Sequence, residues 1–336
     1  MGGEIRFRDE RSRMTTVDCT EQGDKSVLDA EVHDLGESSE TKVFYNEKYV
    51  VASHGFETTR KAAWVAEKLK AEDECSTTDP HKFVCRTQKL IEEEHTREYV
   101  ESLTTGEPRQ LAESQGFSWD PGIWEMAVNS TAGVVAAVDE VISEMSEGRV
   151  VNAGSLSSGL HHARSGSGAG FCTVNGLAVG VKAARQAMKK SSLEGTVVVL
   201  DVDAHCGGGT HSILRGSEGT LHLDLSVNSF DCYEPAGGNR LSILRSPSEK
   251  EYFSELDGLL GCMPADTKLV LYNAWMDPHP TLSKETLRSR EERVAGWCTQ
   301  AGIPAVFVLA GGYLTSLEKS ELVDLHLHTV KSFRGK

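Results

Sequence analysis

Three ionisable side chains directly follow a run of apolar residues in the stretch VVVLDVDAHCGGGT, residues 197–210. Asp201, Asp203 and His205 occupy alternate positions, so on an extended chain their side chains point to the same side. Asp203 and His205 are therefore placed to bind one metal ion through a carboxylate oxygen and an imidazole nitrogen. Carboxylates at strand ends also cap helices or pair with basic side chains, and for this motif alone that interpretation stays open.

A further acidic residue, Asp277, follows another apolar run, LVLYNA at 269–274. If the two runs are nearby parallel strands, their carboxyl ends converge and Asp277 approaches Asp203 and His205. Two carboxylates and one imidazole leave a coordination position open, which is typical of a catalytic zinc site rather than a closed structural one. Taken alone, Asp277 has no special meaning.

Two adjacent histidines, His161 and His162, lie in the glycine-rich segment SGLHHARSGSGAGFCTVNG, residues 158–176. Histidine is the usual general acid or base near neutral pH, so the pair is a candidate for proton transfer. An isolated pair is more simply interpreted as two histidines at the surface or the edge of a core. These glycines do not form G-x-G-x-x-G, and no G-K-[ST] follows those at 207–209, so neither segment predicts a nucleotide site.

Two glycines also precede Tyr313 in the segment LAGGYLTSL, residues 309–317. Glycines after a strand let the backbone turn sharply and present the next side chain at the edge of the sheet. A single tyrosine there is more often part of the packing than of a reaction. Its meaning therefore depends on the other motifs.

Apolar runs alternate with helical patterns from residue 149 onward, which is typical of a parallel sheet with helices on both faces. The predicted strands are 42–46, 149–154, 196–203, 219–227, 267–274 and 303–312. The predicted helices are 60–70, 88–103, 130–145, 175–188, a short one from 210, and one around 284–301. We expect a single three-layer α/β domain with a mostly parallel sheet over residues 41–336, after a flexible acidic tail at 1–40. Ligands of such sheets bind at the carboxyl ends of the strands.

Charge and hydropathy limit the classes of partner. The chain has 336 residues, with 35 Lys and Arg against 50 Asp and Glu, and a net charge of −15. This balance argues against direct binding of nucleic acid and suits a cationic substrate or a basic partner. No apolar run approaches the ~20 residues that span a bilayer, and no signal-peptide core is visible, so we expect a cytoplasmic or nuclear protein without a membrane partner. The eight cysteines include no C-x-x-C pair and are expected to be reduced thiols.

The motifs, taken together and in this order, resemble the zinc-dependent histone deacetylase family of the arginase/deacetylase superfamily. GLHHARSGSGAGFCTVN resembles the family's G-x-H-H-A…G-F-C-x-x-N segment, and VVVLDVDAHCGGGT resembles its D-x-D-x-H strand with a glycine-rich turn. NAWMDPH resembles the segment with the last metal ligand, and LAGGYLTSL resembles the catalytic tyrosine loop. Weaker matches occur at 54–62 and 93–103. The HCGGGT form is closer to bacterial-type or divergent members than to the nuclear enzymes.

The resemblance implies one catalytic Zn²⁺, with Asp203, His205 and Asp277 as its ligands. It also implies a structural monovalent cation, K⁺, near the strand of Asp201 and around Ser226. The rival branch of the superfamily, the two-manganese ureohydrolases, needs an acid at position 207. Glycine stands there, which favours one metal.

The resemblance also implies the roles of residues around the metal. His161 and His162 are expected to lie beside the reacting water, Tyr313 is expected to donate its hydroxyl to the substrate carbonyl, and Asp201 is expected to orient His161. Further residues are expected to line a narrow tunnel for an acyl-lysine type of substrate: Gly170, Phe171 and Tyr233.

The function that follows is hydrolysis of an amide by metal-activated water, which releases an acid and a free amine. Protein acetyl-lysine, an acetylpolyamine and another small N-acyl amine all remain possible substrates. An alternative of another class is a catalytically silent binding protein with the same fold. Retention of all six expected metal and catalytic side chains argues against it. The oligomeric state is left open.

Three positions depart from the family pattern. Gly208 stands where many members have an acid that supports the second histidine, so His162 lacks its expected partner in the sequence. Trp275, two residues before Asp277, replaces a common glycine and could narrow the pocket. Glu234 lies in a rim segment that is usually aromatic. It could favour a cationic substrate such as an acetylated polyamine, or it could simply face water.

Overall fold

One parallel β-sheet organises the described part of the chain. The structure is a computed structural model, and it describes residues 41–53, 57–72, 75–276 and 279–334. Its strands are β1 (Lys42–Phe44), β2 (Thr77–Thr78), β3 (Ala153–Ser155), β4 (Thr196–Asp201), β5 (Thr220–Ser226), β6 (Arg240–Ile243), β7 (Thr267–Trp275) and β8 (Ala305–Ala310). They form one eight-stranded sheet in the order β2-β1-β3-β8-β7-β4-β5-β6. Every pairing between these strands is parallel.

Helices cover both faces of this sheet. They are α1 (Glu57–Ala71), α2 (Val84–Glu94), α3 (Arg97–Thr105), α4 (Arg109–Ala112), α5 (Gly122–Ser146), α6 (Gly176–Lys190), α7 (Gly208–Leu214), α8 (Glu249–Leu260), α9 (Lys284–Ala301) and α10 (Lys319–Phe333). Strand β4 contributes side chains to the cores on both faces of the sheet, because successive side chains of a strand point to opposite sides. Val198 and Leu200 lie in one core with α1, α8, α9 and α10, and Val197 and Val199 lie in the other with α2, α3, α5 and α6. The predicted fold class, three layers around a mostly parallel sheet, is confirmed.

Several predicted boundaries differ from the observed ones. The helix predicted at 88–103 is two helices, because His95 is extended (φ −110°, ψ 148°) at the end of α2. Thr96 then begins α3 by accepting a hydrogen bond from the N–H of Tyr99 at 3.4 Å. A threonine in this position favours a helix start over a continuous helix. Helix α5 begins at Gly122 rather than at 130, and β6, α8 and α10 were not predicted.

Two predictions concern residues that the structure does not describe. The acidic tail, 1–40, lies outside the described residues, and so does the candidate ligand Asp277. Within the described ranges, no helix combines the length and the apolar character that crossing a membrane requires.

The carboxyl ends of the central strands meet at one edge of the sheet. Strand β4 lies between β5 and β7, and Asp201 at its end is paired with Asp224 of β5 and Asn273 of β7. On the other side of β7, Trp275 is paired with Ala310 at the end of β8. Segments that are far apart in the chain therefore bring their polar residues to the same edge.

A buried arginine of α9 joins two of these strand ends. The guanidinium of Arg290 donates to the carbonyl oxygen of Val202, just after β4, at 3.2 Å, and to that of Trp275, the last residue of β7, at 2.8 Å. Its Nε donates to the carboxylate of Glu291 at 2.7 Å, so the buried charge is paired. Arg290 thus holds the two chain segments that lead to Asp203 and Asp277 in a fixed relation.

We expect Arg290→Leu to lower the free energy of unfolding by about 3–5 kcal/mol, because it leaves Glu291 as an unpaired buried charge. Urea denaturation followed by circular dichroism measures this loss. The matched control is Arg97→Leu, which breaks the exposed pair with Glu101 and should change the free energy of unfolding very little. Equal losses of unfolding free energy in the two variants would show that the hydrogen bonds and the ion pair of Arg290 do not contribute specially to stability.

Candidate active site

The histidine pair lies in the long connection between β3 and α6. His161 and His162 are both buried, with 0% and 2% of their surface exposed. Asn175, which caps the N-terminus of α6, donates from its side chain to the carbonyl oxygens of His161 and Ala163 at 3.3 and 2.9 Å. The cap of the helix therefore also fixes the backbone of the histidine pair.

Another buried histidine, His95, is hydrogen-bonded to both ends of the glycine-rich part of this connection. The ring of His95 accepts from the N–H of Asn175 at Nε2 and donates from Nδ1 to the carbonyl oxygen of Arg164, both at 3.0 Å. His95 is thus bonded to both ends of the segment 164–175. Protonation would turn Nε2 into a donor that faces another donor. Burial lowers the pKa of His95 to about 4, and the backbone hydrogen bonds only partly oppose this effect.

We expect His95 to make the protein sensitive to acid. Because its pKa in the folded state, about 4, lies below the ordinary value of 6.5, the unfolded state takes up the proton first. Its contribution is therefore fully present above pH 6.5 and is lost as the pH falls towards 4, by about 3 kcal/mol.

Urea unfolding of the wild type and of His95→Gln across this pH range isolates the effect, since glutamine does not titrate. The difference in free energy of unfolding between the two proteins should shrink as the pH falls. A difference that stays constant from pH 7.5 to about pH 4 would show that His95 is not the titrating group.

Asp201 is hydrogen-bonded to His161, which is the contact that the family resemblance implies, and its orienting role in catalysis stays a prediction. The Nδ1–H of His161 donates to Asp201 Oδ2 at 2.7 Å, and the amide of Asn273 donates to Asp201 Oδ1 at 2.8 Å. Burial opposes protonation of His161, yet the carboxylates of Asp201 and Asp203 outweigh it and raise the pKa of His161 to about 10. The Nε2 atom of His161 is left to face His162 Nε2 at 3.1 Å.

The acidic partner of His162 is Asp231, which the sequence patterns did not identify. The Nδ1–H of His162 donates to Asp231 Oδ2 at 2.9 Å. The expectation that His162 lacks such a partner, because Gly208 replaces the family's acid, is therefore wrong. The two residues are 69 positions apart, and no local spacing signals the contact. Burial and the charge on His161 lower the pKa of His162, and this effect exceeds the opposing effect of Asp231.

Asp203 has the properties of a metal ligand. Its side chain is fully buried, and its Oδ2 atom has no hydrogen-bond partner among the described residues. Its other oxygen accepts from the backbone N–H of His205 at 2.6 Å and lies 3.1 Å from Nδ1 of the same histidine. A buried carboxylate oxygen without a donor is costly unless a cation or water satisfies it, so the residues present fit a metal ion.

Two groups of side chains have ligand atoms close enough to hold a metal ion within the described ranges. His161, His162 and Asp203 form one of them, with all three ligand atoms within 4.8 Å of one another. Another consists of Asp201, His222 and Asp224, at the ends of β4 and on β5. The predicted ligand set of Asp203, His205 and Asp277 stays a prediction, and so does the predicted K⁺ near Asp201 and Ser226.

A cavity is lined by several of the predicted site residues, although neither His161 nor His162 is among the described residues that line it. Tyr313, Trp275, Gly170 and Phe171 all line it. Trp275 is buried and packs on the ring of His161, with ring centroids 5.0 Å apart. The tryptophan therefore lies between this cavity and His161, and its expected effect on the width of the pocket stays a prediction.

The two glycines before Tyr313 have the conformations that the sequence predicts. Gly311 and Gly312 have φ values of 60° and 88°, in the region that favours glycine. A Cβ atom on Gly312 would also lie 2.3 Å from Leu322 of α10. The turn at the end of β8 thus needs glycine, and it directs Tyr313 to the cavity.

Tyr233 and Glu234 are not among the described residues that line this cavity. The hydroxyl of Tyr233 donates to Asp224 at 3.1 Å, and its ring stacks on His211 with centroids 4.1 Å apart. Glu234 is exposed. The aromatic residue that contacts the site from this segment is Phe230, which is half-exposed and packs edge-on against His162 at 5.1 Å. The sequence patterns did not single it out.

The fold and the strand-edge site define an α/β protein of the arginase/deacetylase type. The family model for the histone deacetylase domain matches residues 54–244, which is more than half of the chain. The chain therefore belongs to the histone deacetylase family, as the motifs predict.

Curated relatives and solved structures are consistent with this membership. An uncharacterized protein of Picosynechococcus is 26% identical over 246 residues, which cover 69% of this chain and 77% of that protein. Histone deacetylase 2 of Arabidopsis thaliana is 27% identical over 48% of this chain and 44% of its own length. The acetylpolyamine aminohydrolase from Burkholderia pseudomallei has the same fold, with a TM-score of 0.69 and 17% identity over 87% of this chain and 98% of its own.

Proposed function

We propose that this protein is a zinc-dependent amidohydrolase that removes acetyl or other acyl groups from acyl-lysine or a related acylated amine. The observation that carries the proposal is a pair of buried imidazoles, each bonded through Nδ1 to a carboxylate, with their Nε2 atoms 3.1 Å apart. The buried carboxylate of Asp203 lies beside them, 3.5 Å from His161 Nε2. Membership of the histone deacetylase family supports the same chemistry.

Asp203, His205 and Asp277 are the proposed ligands of one Zn²⁺. The unpartnered oxygen of Asp203 and the partly exposed ring of His205 suit a mixed oxygen and nitrogen site with an open position. Bound there, Zn²⁺ supplies Lewis acidity, which polarises the amide carbonyl and makes water a nucleophile at neutral pH. Glycine at position 207 favours one metal ion rather than two.

The two histidines have different proposed roles because their environments differ. The lowered pKa of His162 leaves its Nε2 unprotonated, so it can take the proton of the attacking water. The carboxylate of Asp201 raises the pKa of His161 and favours the charged form of its ring, which suits this histidine for stabilising the negative charge that develops beside it. The proton held by His162 then passes to the leaving amine. Tyr313 donates its hydroxyl to the oxyanion.

The amine substrate has two main candidates, protein acetyl-lysine and an acetylated polyamine. The net charge of −15 favours a cationic substrate, whereas Glu234 is exposed and is not among the described residues that line the cavity. The fold neighbour from Burkholderia is named as an acetylpolyamine aminohydrolase, which supports including acetylated polyamines among the candidate substrates. A small N-acyl amine of another kind would use the same machinery.

Metal analysis together with acid release from a substrate panel tests the proposal. The panel contains acetyl-lysine peptides, acetylpolyamines and small N-acyl amines, and one class should be hydrolysed by the zinc-loaded protein. Lack of zinc binding, or no hydrolysis of any member with the metal loaded, would favour the alternative of a silent binding protein.

A further inference from the structure

We infer that Asp231 is the positioning residue of His162, and that it supplies from a different loop the carboxylate that Gly208 does not provide. This inference deepens the proposed function and rests on it. It concerns the loop after β5, which the motifs of the chain do not connect with the histidine pair.

The first observation is how firmly the Asp231 carboxylate is held. Its side chain is 7% exposed, and its Oδ2 atom accepts from His162 Nδ1 at 2.9 Å and from the backbone N–H of Gly209 at 3.2 Å. Its Oδ1 atom accepts from the guanidinium of Arg164. Burial alone would raise the pKa of Asp231, but these donors outweigh it and keep the pKa below its usual range. The carboxylate is therefore ionised and fixed in orientation.

The second observation is that Gly208 and Asp231 compete for one space. A Cβ atom built on Gly208 would lie 2.3 Å from the carbonyl oxygen of Asp231 and 2.6 Å from its Oδ1 atom. No side chain therefore fits at 208 while Asp231 keeps its position. Glycine at 208 and aspartate at 231 form one arrangement, in which the acid comes from the second loop instead of the first.

The third observation is the backbone of Asp231 itself. Its φ is 60°, in the left-handed region, which is uncommon for a residue with a side chain. Such conformations persist where surrounding contacts determine them. The preceding residue, Phe230, accepts from the N–H of Cys206 at 3.0 Å, so this loop is joined to the turn after β4 at that point.

The consequence is that both histidines have equivalent support. Asp201 of β4 holds His161 at 2.7 Å, and Asp231 holds His162 at 2.9 Å, in each case through Nδ1. Each contact fixes the tautomer and directs Nε2 to the reaction centre. Asp231 does not touch the reacting atoms, so its effect on the reaction passes through His162.

The test removes the carboxylate and compares the result with a neutral side chain of the same shape. Asp231→Ala should lower kcat by about 10–100-fold with little change in KM, since it removes the support and not the imidazole. Asp231→Asn keeps one oxygen that can accept from the Nδ1–H of His162, and its kcat should lie between those of the wild type and Asp231→Ala. Gly208→Ala should also be impaired, because its Cβ atom would meet both the backbone oxygen and the carboxylate of Asp231.

A spectroscopic measurement separates this inference from the proposed function. The Nδ1–H signal of His162 in a ¹H–¹⁵N spectrum should be protected in the wild type, lost in Asp231→Ala and partly kept in Asp231→Asn. Asp231→Asn also serves where Asp231→Ala does not fold, and Asp257→Ala, which breaks an exposed pair with Arg293, is the control. An unchanged kcat in Asp231→Ala, or a His162 signal that stays protected in that variant, would overturn the inference. An inactive wild type with the expected spectra would overturn the function alone.

Discussion

Asp203→Asn is expected to abolish specific metal binding and to lower the rate of deacylation by at least about a thousandfold. Asparagine has nearly the same shape as aspartate, so this change removes the negative charge and one acceptor oxygen while it keeps the volume of the side chain. Loss of several kcal/mol of transition-state stabilisation by the metal corresponds to a factor of this size. Elemental analysis of the purified variant and acid release from the best substrate measure the two effects.

Thermal unfolding with and without Zn²⁺ provides a readout that does not depend on activity. The wild type should gain about 2.7 kcal/mol at a free zinc concentration of about 100 Kd, and Asp203→Asn should gain almost nothing. The control is Asp257→Asn, which changes an exposed carboxylate paired with Arg293 and should leave zinc binding unchanged. Full zinc stabilisation of Asp203→Asn would remove this residue from the ligand set.

Tyr313→Phe is expected to lower kcat by about 10²–10³-fold and to leave the zinc content unchanged. This is the usual cost of removing one hydrogen-bond donor from an oxyanion site. KM should change little, because the donor acts on charge that develops in the transition state. Steady-state kinetics and metal analysis of the same preparation check both parts of the prediction.

Tyr45→Phe is the matched control, since it removes a hydroxyl from a tyrosine that is not among the described residues lining the cavity. Its kcat should equal that of the wild type. If Tyr313→Phe behaves like this control, the tyrosine after β8 belongs to the packing and not to the reaction.

Local patterns in the sequence were sufficient for the fold class and for the positions of several side chains near the candidate site. Apolar runs without alternation predict strands that are buried on both faces, and β4 indeed contributes to two cores. The glycines before Tyr313 have the left-handed conformations that the turn requires. The contact of Asp201 with His161 also agrees with the family motifs. The first two features depend on residue types and spacings within a short segment, whereas the contact of Asp201 with His161 spans 40 residues and was implied by the family resemblance.

Only the tertiary structure decided which distant residues complete the site. Asp231 supports His162 across 69 residues, and Arg290 joins the ends of β4 and β7 from a helix that follows both strands. Tyr233, which the family resemblance implies as a tunnel residue, donates its hydroxyl to Asp224 and is not among the described residues that line the cavity. The period of the apolar residues and the spacing of the motifs do not predict these long-range contacts, because such contacts depend on how the loops pack against the sheet. Position 208 illustrates this point. The sequence shows that the family's acid is missing there, and the structure shows that the carboxylate of Asp231 lies next to Gly208 and bonds to His162 instead.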